Sequence, residues 1–259
     1  MSNRKYGHIP DPINKPYIPF ERSKISSIQA SDSNDVDLRP FSLSRHNQLN
    51  TSSCVAQSST KALLIKNAEK YGVENTIPLS ALDLYWNCRN IMQPQQTQID
   101  EGTNICLAMD ALRIYGICRE SEWPFNPTKV NVSPSVMTVR EEFLNKIDEH
   151  YKIDSTGNQL IDDIVLNLQN KNPVVFGMNV GDEFEGYNSS SPPLSKCTNI
   201  KGSHATTIIG WIGGKLVCEN SWGFYWGHDG FYFIEPELIS SIGSDFWVIK
   251  NSLDIYWEK

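Results

Sequence analysis

The sequence lacks the features that mark several large classes of protein. No apolar run approaches the roughly 18 residues of a membrane-spanning helix. The first residues, MSNRKYGHIPDPINKPY, contain no apolar core of a secretory signal peptide. Lysine and arginine form no cluster and the formal net charge is −7, which argues against a nucleic-acid-binding surface. We therefore expect a cytoplasmic protein that binds neither membranes nor nucleic acids.

Cysteine is sparse, and its spacing indicates no metal site. The cysteines form no CxxC pair, and no histidine lies at a zinc-ligand spacing. Their scatter along 259 residues is unlike the disulfide framework of a small secreted protein. We expect neither a metal nor a cofactor. The cysteines are Cys54, Cys88, Cys106, Cys118, Cys197 and Cys218.

Helical patterns come first along the chain, and strand patterns dominate later. Apolar spacing predicts helices at about 54–71, 80–88, 103–115, 135–148 and 158–170. Short apolar runs predict strands at 174–178, 205–211, 216–219, 231–234 and 246–249. This order is typical of an α+β protein built from two lobes.

The chain divides into three predicted parts. Residues 1–36, rich in proline and then in serine and aspartate, form an N-terminal extension. Residues 37–130 form a helical lobe, and residues 131–259 form a β-rich lobe. A hydrophobic content of 39% and a charged content of 20% are typical of a globular protein with a substantial core. The sequence gives no indication of the oligomeric state.

Cys54 opens the first predicted helix. Ser52 or Ser53 is placed to cap the start of this helix, and Gly72 follows its end. A thiol in the first turn of a helix lies beside unpaired N–H groups and a partial positive charge, which lower its pKa towards the thiolate. A lone cysteine at such a position is more often a small buried apolar residue. The interpretation therefore depends on residues far downstream.

His204 and Asn220 are candidates for the other two groups that catalysis by a thiol requires, a base and a residue that orients it. His204 starts a predicted apolar strand, and Asn220 follows 16 residues later. An imidazole carries the proton to a leaving amine, while an amide oxygen fixes the ring tautomer and leaves the other nitrogen for the sulfur. Trp222 and Trp226 are placed to shield this hydrogen bond from water. Each residue alone has an ordinary structural explanation, and only their combination favours a cysteine nucleophile.

The combination resembles the papain-like cysteine proteases of the C1 type. Gln48 lies six residues before Cys54, as the glutamine of that family lies before its nucleophile. His204 followed by alanine at a strand start, and Asn-Ser-Trp-Gly at 220–223, also match the family. The resemblance covers roughly residues 37–250. Within the family, the segments at 7–12 and 119–124 look closest to a microbial branch without the usual secreted precursor.

This resemblance implies a fold, an activity and a set of site residues. The fold is two-lobed, with a helical N-terminal lobe, a β-barrel-like C-terminal lobe and the active site between them. The activity is hydrolysis of peptide bonds in a peptide or protein through an acyl-enzyme. The implied catalytic residues are the nucleophile Cys54, the base His204, its orienting partner Asn220 and the oxyanion donor Gln48. The implied substrate-binding residues are Ser52, Gly102, Thr103, Ser203 and Trp222.

The sequence also departs from the family pattern near the proposed cleft. Thr51 and Asp100 stand where family members usually carry two cysteines of one disulfide, so both halves of that bond are absent together. Ser52 replaces a usual glycine, and Thr103 replaces the second of two glycines whose backbone usually pairs with substrate. Because each change alters the side-chain volume near the cleft, the resemblance implies no particular substrate preference.

Two alternatives remain open beside hydrolysis. A catalytically silent papain-like domain would bind peptides or a partner protein, and loss of the cysteine, histidine or glutamine would favour it. A thiol acyltransferase would keep the nucleophile and transfer the acyl group to an amine instead of water. The sequence does not separate acyl transfer from hydrolysis.

Three further expectations concern the thiol, the N-terminal extension and the remaining histidines. If Cys54 pairs with His204, its pKa lies well below the ~8.5 of a free cysteine, and it is largely thiolate at neutral pH. Residues 6–20 carry large apolar side chains between prolines, so we expect them to lie extended against the body and to restrict the cleft or to cover apolar surface. His8, His46, His150 and His228 are expected at the surface.

Overall fold

A computed structural model of the protein describes residues 5–24, 35–94, 99–142 and 145–252. Residues 1–4 and 25–34 of the predicted extension, and 253–259 of the predicted β-rich lobe, lie outside the described residues. Over the described ranges, no helix has both the length and the apolar character needed to cross a membrane.

The first helices form the N-terminal part of the body. Helix α1 (Cys54–Tyr71) begins and ends where the sequence predicts. Ser53 lies at its N-cap position without a side-chain capping bond, and Gly72 ends it with a φ of 90° and an N–H bonded to Ala68 O. Helix α2 (Ala81–Met92) is capped by Ser80, whose Oγ accepts from Asp83 N–H. Helix α3 (Ile105–Ile114) follows.

The prediction of a helix at 135–148 is wrong in its last residues. Helix α4 spans Val136–Glu142, and a strand occupies Ile147–Ile153. This strand has two register shifts, so its buried side chains do not alternate strictly, and it pairs with a strand about 100 residues later. Pairing with so distant a partner overrides the local helical pattern.

Strands dominate the rest of the described chain. They are β1 (Val36–Asp37), β2 (Ile147–Ile153), β3 (Val174–Val180), β4 (Gly202–Ile212), β5 (Lys215–Glu219), β6 (Phe231–Ile234) and β7 (Gly243–Ser252). Three helices are interspersed among them, α5 (Gly157–Gln169), α6 (Asp182–Glu185) and α7 (Pro236–Ile242). Strands β1 and β2 and helices α6 and α7 were not predicted from the sequence.

The strands form one antiparallel sheet in the order β2-β7-β3-β4-β5-β6, with β1 paired to β4. Strands β4 and β5 form a hairpin across Gly213 and Gly214, whose φ values of 55° and 76° suit a tight turn of glycines. The α+β prediction is confirmed. The β-barrel-like description is too strong, because this sheet is open between β2 and β6 in the described residues.

Helix α1 packs between the other helices and the sheet. The apolar core on its side includes Val175 and Ala205 from the sheet together with residues of α1, α2 and α3. A hydrogen bond from Thr207 Oγ1 to Ser58 O (2.9 Å) joins β4 directly to α1. The start of α1 and the start of β4 are thereby held side by side.

A buried ion pair adds a second connection between α1 and the sheet. Lys61 Nζ of α1 lies 3.2 Å from Glu219 Oε1 at the end of β5, and both side chains are almost inaccessible. Ser42 Oγ donates to the other oxygen of Glu219 at 2.7 Å. Burial lowers the pKa of Lys61, while the Glu219 carboxylate opposes this effect. Glu219 directly precedes Asn220 in the chain.

Glu219→Gln is expected to lower the free energy of unfolding by about 3 kcal/mol, because it leaves the Lys61 ammonium buried without its carboxylate. Urea denaturation measures the difference. The matched control is Glu149→Gln, which removes a half-exposed pair with Lys250 of similar length, 3.0 Å. The control is expected to change stability by less than about 1 kcal/mol. Equal effects of both substitutions would contradict a special role for the buried pair.

Candidate active site

Cys54 lies at the first position of α1 and is fully buried. Its sulfur is within reach of backbone N–H groups at the helix start, at Ala205 and at Gly7. Ala205 follows His204 in β4, so the side-by-side packing of α1 and β4 brings the predicted nucleophile and base together. The helix start also provides the partial positive charge expected from the sequence.

His204 is fixed by Asn220. His204 Nε2 and Asn220 Oδ1 are 2.8 Å apart, and both residues are buried. Asn220 Oδ1 also accepts from Ser221 N–H at 2.8 Å, which fixes the amide orientation. Because an amide oxygen only accepts, the proton lies on Nε2 and Nδ1 is the basic nitrogen. The ring of Trp222 lies 5.0 Å from the imidazole and covers this pair.

Gln48 presents its amide N–H groups to two backbone carbonyls. Its Nε2 donates to Thr51 O at 2.8 Å and to Lys5 O at 3.1 Å. Ser221 Oγ donates to Gln48 Oε1 at 2.7 Å, which fixes the orientation of the side chain. One donor of Gln48 is therefore directed at a carbonyl oxygen that belongs to the N-terminal part of the chain.

Residues 5–20 are here called the N-terminal segment, and the first of these residues run through the cleft beside these groups. Thr103 N–H donates to Gly7 O at 2.9 Å, and Ile9 N–H donates to Thr103 O at 3.0 Å. On the opposite wall, His8 N–H donates to Ser203 O at 3.3 Å. The segment is thus bound by backbone hydrogen bonds to both walls of the cleft.

Gly7 fits this position because it has no side chain. An ideal Cβ at Gly7 would lie 1.8 Å from the backbone oxygen of Ser52. Gly102 on the facing wall has a φ of 91°, and a Cβ there would lie 2.2 Å from Gly7 O. In both cases the atom that a Cβ would meet belongs to the backbone, so a larger residue at position 7 requires the segment to move.

The five predicted substrate-binding residues all border the N-terminal segment. Ser52, Gly102 and Thr103 surround Gly7 as described above. Ser203 Oγ lies 2.6 Å from His8 Nδ1. The ring of Trp222 lies 6.3 Å from that of Tyr6, whose hydroxyl donates to Glu185. These residues line one continuous cleft, which the segment occupies.

The expectation that Cys54 is largely thiolate at neutral pH is wrong for this closed arrangement. Burial raises the pKa of the Cys54 thiol to about 11, although the N–H groups of Ala205 and Gly7 oppose this effect. A buried sulfur loses the hydration of its negative charge, and this cost outweighs the stabilisation from those N–H groups. The position of Cys54 at the helix start was predicted correctly, but the expected thiolate did not take account of a segment that covers the thiol.

The chain is similar in sequence and in fold to known proteins. A family model described as papain family cysteine protease matches residues 33–243. The chain belongs to the papain family of cysteine proteases. An uncharacterized peptidase C1-like protein of Acanthamoeba polyphaga mimivirus is 27% identical over 230 residues, which cover 83% of this chain and 72% of the viral protein.

Solved structures show the same fold. Xylellain, a cysteine protease from Xylella fastidiosa, is 27% identical with a TM-score of 0.84, and the match covers 96% of this chain and 97% of xylellain. Procathepsin B from Trypanosoma congolense has a TM-score of 0.75 at 16% identity, with 97% of this chain and 88% of that chain covered. The predicted papain-like fold is therefore confirmed.

Asp100 connects the part of the cleft where family members usually carry a disulfide. All six cysteines are free. Asp100 Oδ1 instead accepts from Ser52 N–H at 2.9 Å and from Tyr85 OH at 2.7 Å. Its other oxygen accepts from Lys5 Nζ at 2.9 Å. Hydrogen bonds to one carboxylate thus hold the loop before Cys54 against α2 and the N-terminal segment.

The prediction that four further histidines lie at the surface is wrong for two of them. His8 and His150 are buried, while His46 and His228 are half-buried. His8 lies inside the cleft and contacts Asp245, a residue that the sequence analysis did not single out. The aromatic and proline pattern of residues 6–20 was the available signal that this part of the chain is docked.

Gly7→Ala is expected to raise the rate at which iodoacetamide alkylates Cys54 at neutral pH by at least about tenfold. The added methyl group collides with Ser52 O, so the segment leaves and the thiol regains contact with water. Peptide mapping by mass spectrometry measures the rate at Cys54 itself.

The control for this experiment is Ile13→Ala, a change in the same segment at a side chain that is 98% exposed. In this variant, Cys54 is expected to be alkylated as slowly as in the unmodified chain. Unchanged alkylation in Gly7→Ala would mean that the segment is not what protects the thiol.

Proposed function

We propose that this protein is a cysteine peptidase that hydrolyses peptide bonds through an acyl-enzyme on Cys54. The observation that carries the proposal is the His204–Asn220 pair, fixed at 2.8 Å beside the helix start that bears Cys54. A fixed tautomer, a thiol at a helix N-terminus and a preorganised amide donor are the groups that acyl transfer to sulfur requires.

In the proposed reaction, each of these residues has a defined role. His204 Nδ1 takes the Cys54 proton, and the sulfur attacks the carbonyl carbon as its π electrons move to oxygen. Gln48 Nε2 and the Cys54 N–H donate to this oxyanion. The imidazolium then protonates the leaving amine, which departs and leaves a thioester. A water molecule, deprotonated by His204, attacks the thioester and releases the acid and the thiol.

The contact between Gln48 and Lys5 supports the oxyanion role. Gln48 Nε2 already donates to a backbone carbonyl oxygen in the cleft, at 3.1 Å. The segment thus provides a peptide carbonyl where the mechanism needs a substrate carbonyl. We propose that the described arrangement is a closed form and that the segment must leave before substrate binds.

Retention of the whole constellation supports hydrolysis over the silent domain considered above. Cys54, His204, Asn220 and Gln48 are all present, and they meet in one cleft. Xylellain, which is similar over nearly the whole chain, is a cysteine protease. Transfer of the acyl group to an amine would need a second binding site for that amine, and no observation above favours one.

In the Gly7→Ala background, Cys54→Ala and His204→Ala are expected to abolish cleavage of fluorogenic peptides. Gln48→Ala is expected to lower kcat by about 10²–10³, because one oxyanion donor is lost. Asn220→Ala is expected to lower kcat less than His204→Ala does, since it loosens the ring without removing the base. Initial rates over a range of substrate concentrations give these values.

Matched controls are His228→Ala and Cys197→Ala, which remove the same side chains outside the catalytic cluster. Both are expected to retain the kcat of the Gly7→Ala parent. If the parent cleaved no peptide although iodoacetamide alkylated its Cys54 readily, the silent binding domain would replace the proposed peptidase.

A further inference from the structure

The imidazole of His8 fills a buried recess beside the catalytic groups. Its Nδ1 lies 2.6 Å from Ser203 Oγ, and its Nε2 lies 3.3 Å from Asp245 Oδ2. Gly177 forms another wall of the recess, where a Cβ would lie 2.0 Å from the His8 ring. The recess therefore exists because position 177 is glycine, and its polar groups are a hydroxyl and a carboxylate.

Asp245 is held in an unusual backbone conformation that directs its carboxylate into the recess. Its φ is 52°, a left-handed value that few residues other than glycine adopt. The pairing of β3 with β7 is irregular between Val175 and Gly177, the part of the sheet that faces this residue. Strain of this kind is retained where the surrounding structure imposes it, and it is common at ligand-binding positions.

The carboxylate of Asp245 has one permanent partner and two that belong to the N-terminal segment. Lys152 Nζ lies 2.8 Å from Oδ1. Oδ2 accepts from Asp11 N–H at 3.0 Å and faces His8 Nε2. Burial alone would raise the pKa of Asp245, but the hydrogen bonds from His8 and Lys152 hold it well below the usual range. Asp245 is therefore ionised.

Departure of the segment leaves Oδ2 without either of these donors. Lys152 also binds Asp11, at 3.0 Å, so the closed form places two carboxylates beside one lysine. When Asp11 leaves with the segment, Lys152 remains on the Oδ1 side of Asp245. The Oδ2 side then faces a recess that needs a hydrogen-bond donor, preferably one with a positive charge.

The recess lies on the acyl side of the scissile bond. His204 hands its proton to the leaving amine, so the leaving group lies towards His204 and Trp222. Tyr6 packs against both of these rings, at 6.2 and 6.3 Å. Gly7 lies at the sulfur, and His8 follows on the far side, where Thr103 offers its backbone. A substrate side chain in the recess therefore belongs to the residue that directly precedes the one whose carbonyl is attacked.

We propose that this recess is a subsite for a basic side chain, that Asp245 is the residue that selects it, and that the substrate residue bound there is the second one before the scissile bond. This proposal rests on the proposed peptidase function. In the closed form, the subsite is filled by His8 of the same chain.

The chemistry of the recess distinguishes three kinds of side chain. Arginine, lysine or histidine supplies an N–H donor to Asp245 Oδ2 and balances its charge. Leucine would leave a buried carboxylate oxygen without a partner, which costs more than the apolar contact returns. Glutamate would place a second carboxylate directly against Asp245, so it is expected to be the poorest.

The first test uses the segment itself as a tethered ligand and needs no catalytic activity. In full-length Cys54→Ser protein, hydrogen–deuterium exchange is followed at residues 5–9 for His8, His8→Leu and His8→Glu. Exchange is expected to be at least about tenfold faster in both variants than with His8. Asp245→Asn keeps the shape of the side chain and tolerates a positive φ. This substitution is expected to abolish most of the difference in exchange rate between the His8 and His8→Leu proteins. Exchange in α1 and β4 verifies that each variant is folded.

The second test measures substrate preference in the Gly7→Ala chain. Four fluorogenic peptides share one leaving group and differ only at the second residue before the scissile bond, which is arginine, histidine, leucine or glutamate. The better of the two basic peptides is expected to exceed the leucine peptide by at least about tenfold in kcat/KM. In Gly7→Ala/Asp245→Asn, this preference is expected to disappear while cleavage of the leucine peptide persists.

The two tests separate the possible failures. Equal protection by His8 and His8→Leu, or an unchanged preference after Asp245→Asn, would overturn the subsite. Cleavage of none of the four peptides would count against the peptidase, whereas the exchange experiment would still decide whether Asp245 selects a basic side chain.

Discussion

The packing of helix α1 against strand β4, together with its ion pair to the end of β5, is the constraint on which the site depends. Each proposed catalytic residue lies within four positions of a contact that joins these elements or the loops beside them. The contacts are Thr207 to Ser58, Lys61 to Glu219, and Gln48 N–H to Ser221 O at 2.8 Å. Because the contacts tie backbone to backbone or are buried, the nucleophile cannot shift relative to its base without disrupting the core. Stability and catalytic geometry are thus set by the same interface.

The N-terminal segment uses the same donors and acceptors that we assign to substrate. Thr103 pairs with its backbone, Gln48 binds one of its carbonyls, and Ser203 and Asp245 bind one of its side chains. A tethered ligand competes at an effective concentration of order millimolar, so modest contacts are enough to keep a cleft closed. An external peptide must bind more favourably than the segment does, and a better basic side chain in the Asp245 recess is one way to do so.

The sequence predicted those features that depend on neighbouring residues. Helix α1 follows from the apolar period after Cys54 and the glycine at 72, and the β4–β5 hairpin follows from Gly213 and Gly214. Strand β2 was missed because its partner is distant in the chain, and no local pattern records that pairing. The recess was missed for the same reason, since it joins position 8 to residues 177, 203 and 245. The family resemblance predicted the catalytic groups, whereas the raised pKa of Cys54 depends on coverage of the thiol by the N-terminal segment, which the resemblance did not imply.

Closure protects the segment from the nucleophile as well as blocking the cleft. The residue at the sulfur is Gly7, which presents its N–H to Cys54, while its carbonyl oxygen is bound by Thr103. The sulfur therefore faces a hydrogen-bond donor instead of the carbonyl carbon of that residue. The Lys5 carbonyl does lie on the oxyanion donor, but burial keeps the thiol protonated, with a pKa of about 11. A neutral thiol is a poor nucleophile, so even a well-placed carbonyl survives at neutral pH. In the proposed mechanism, opening the cleft restores water to the sulfur and frees the Gln48 amide in one movement, which couples substrate access to activation of the nucleophile.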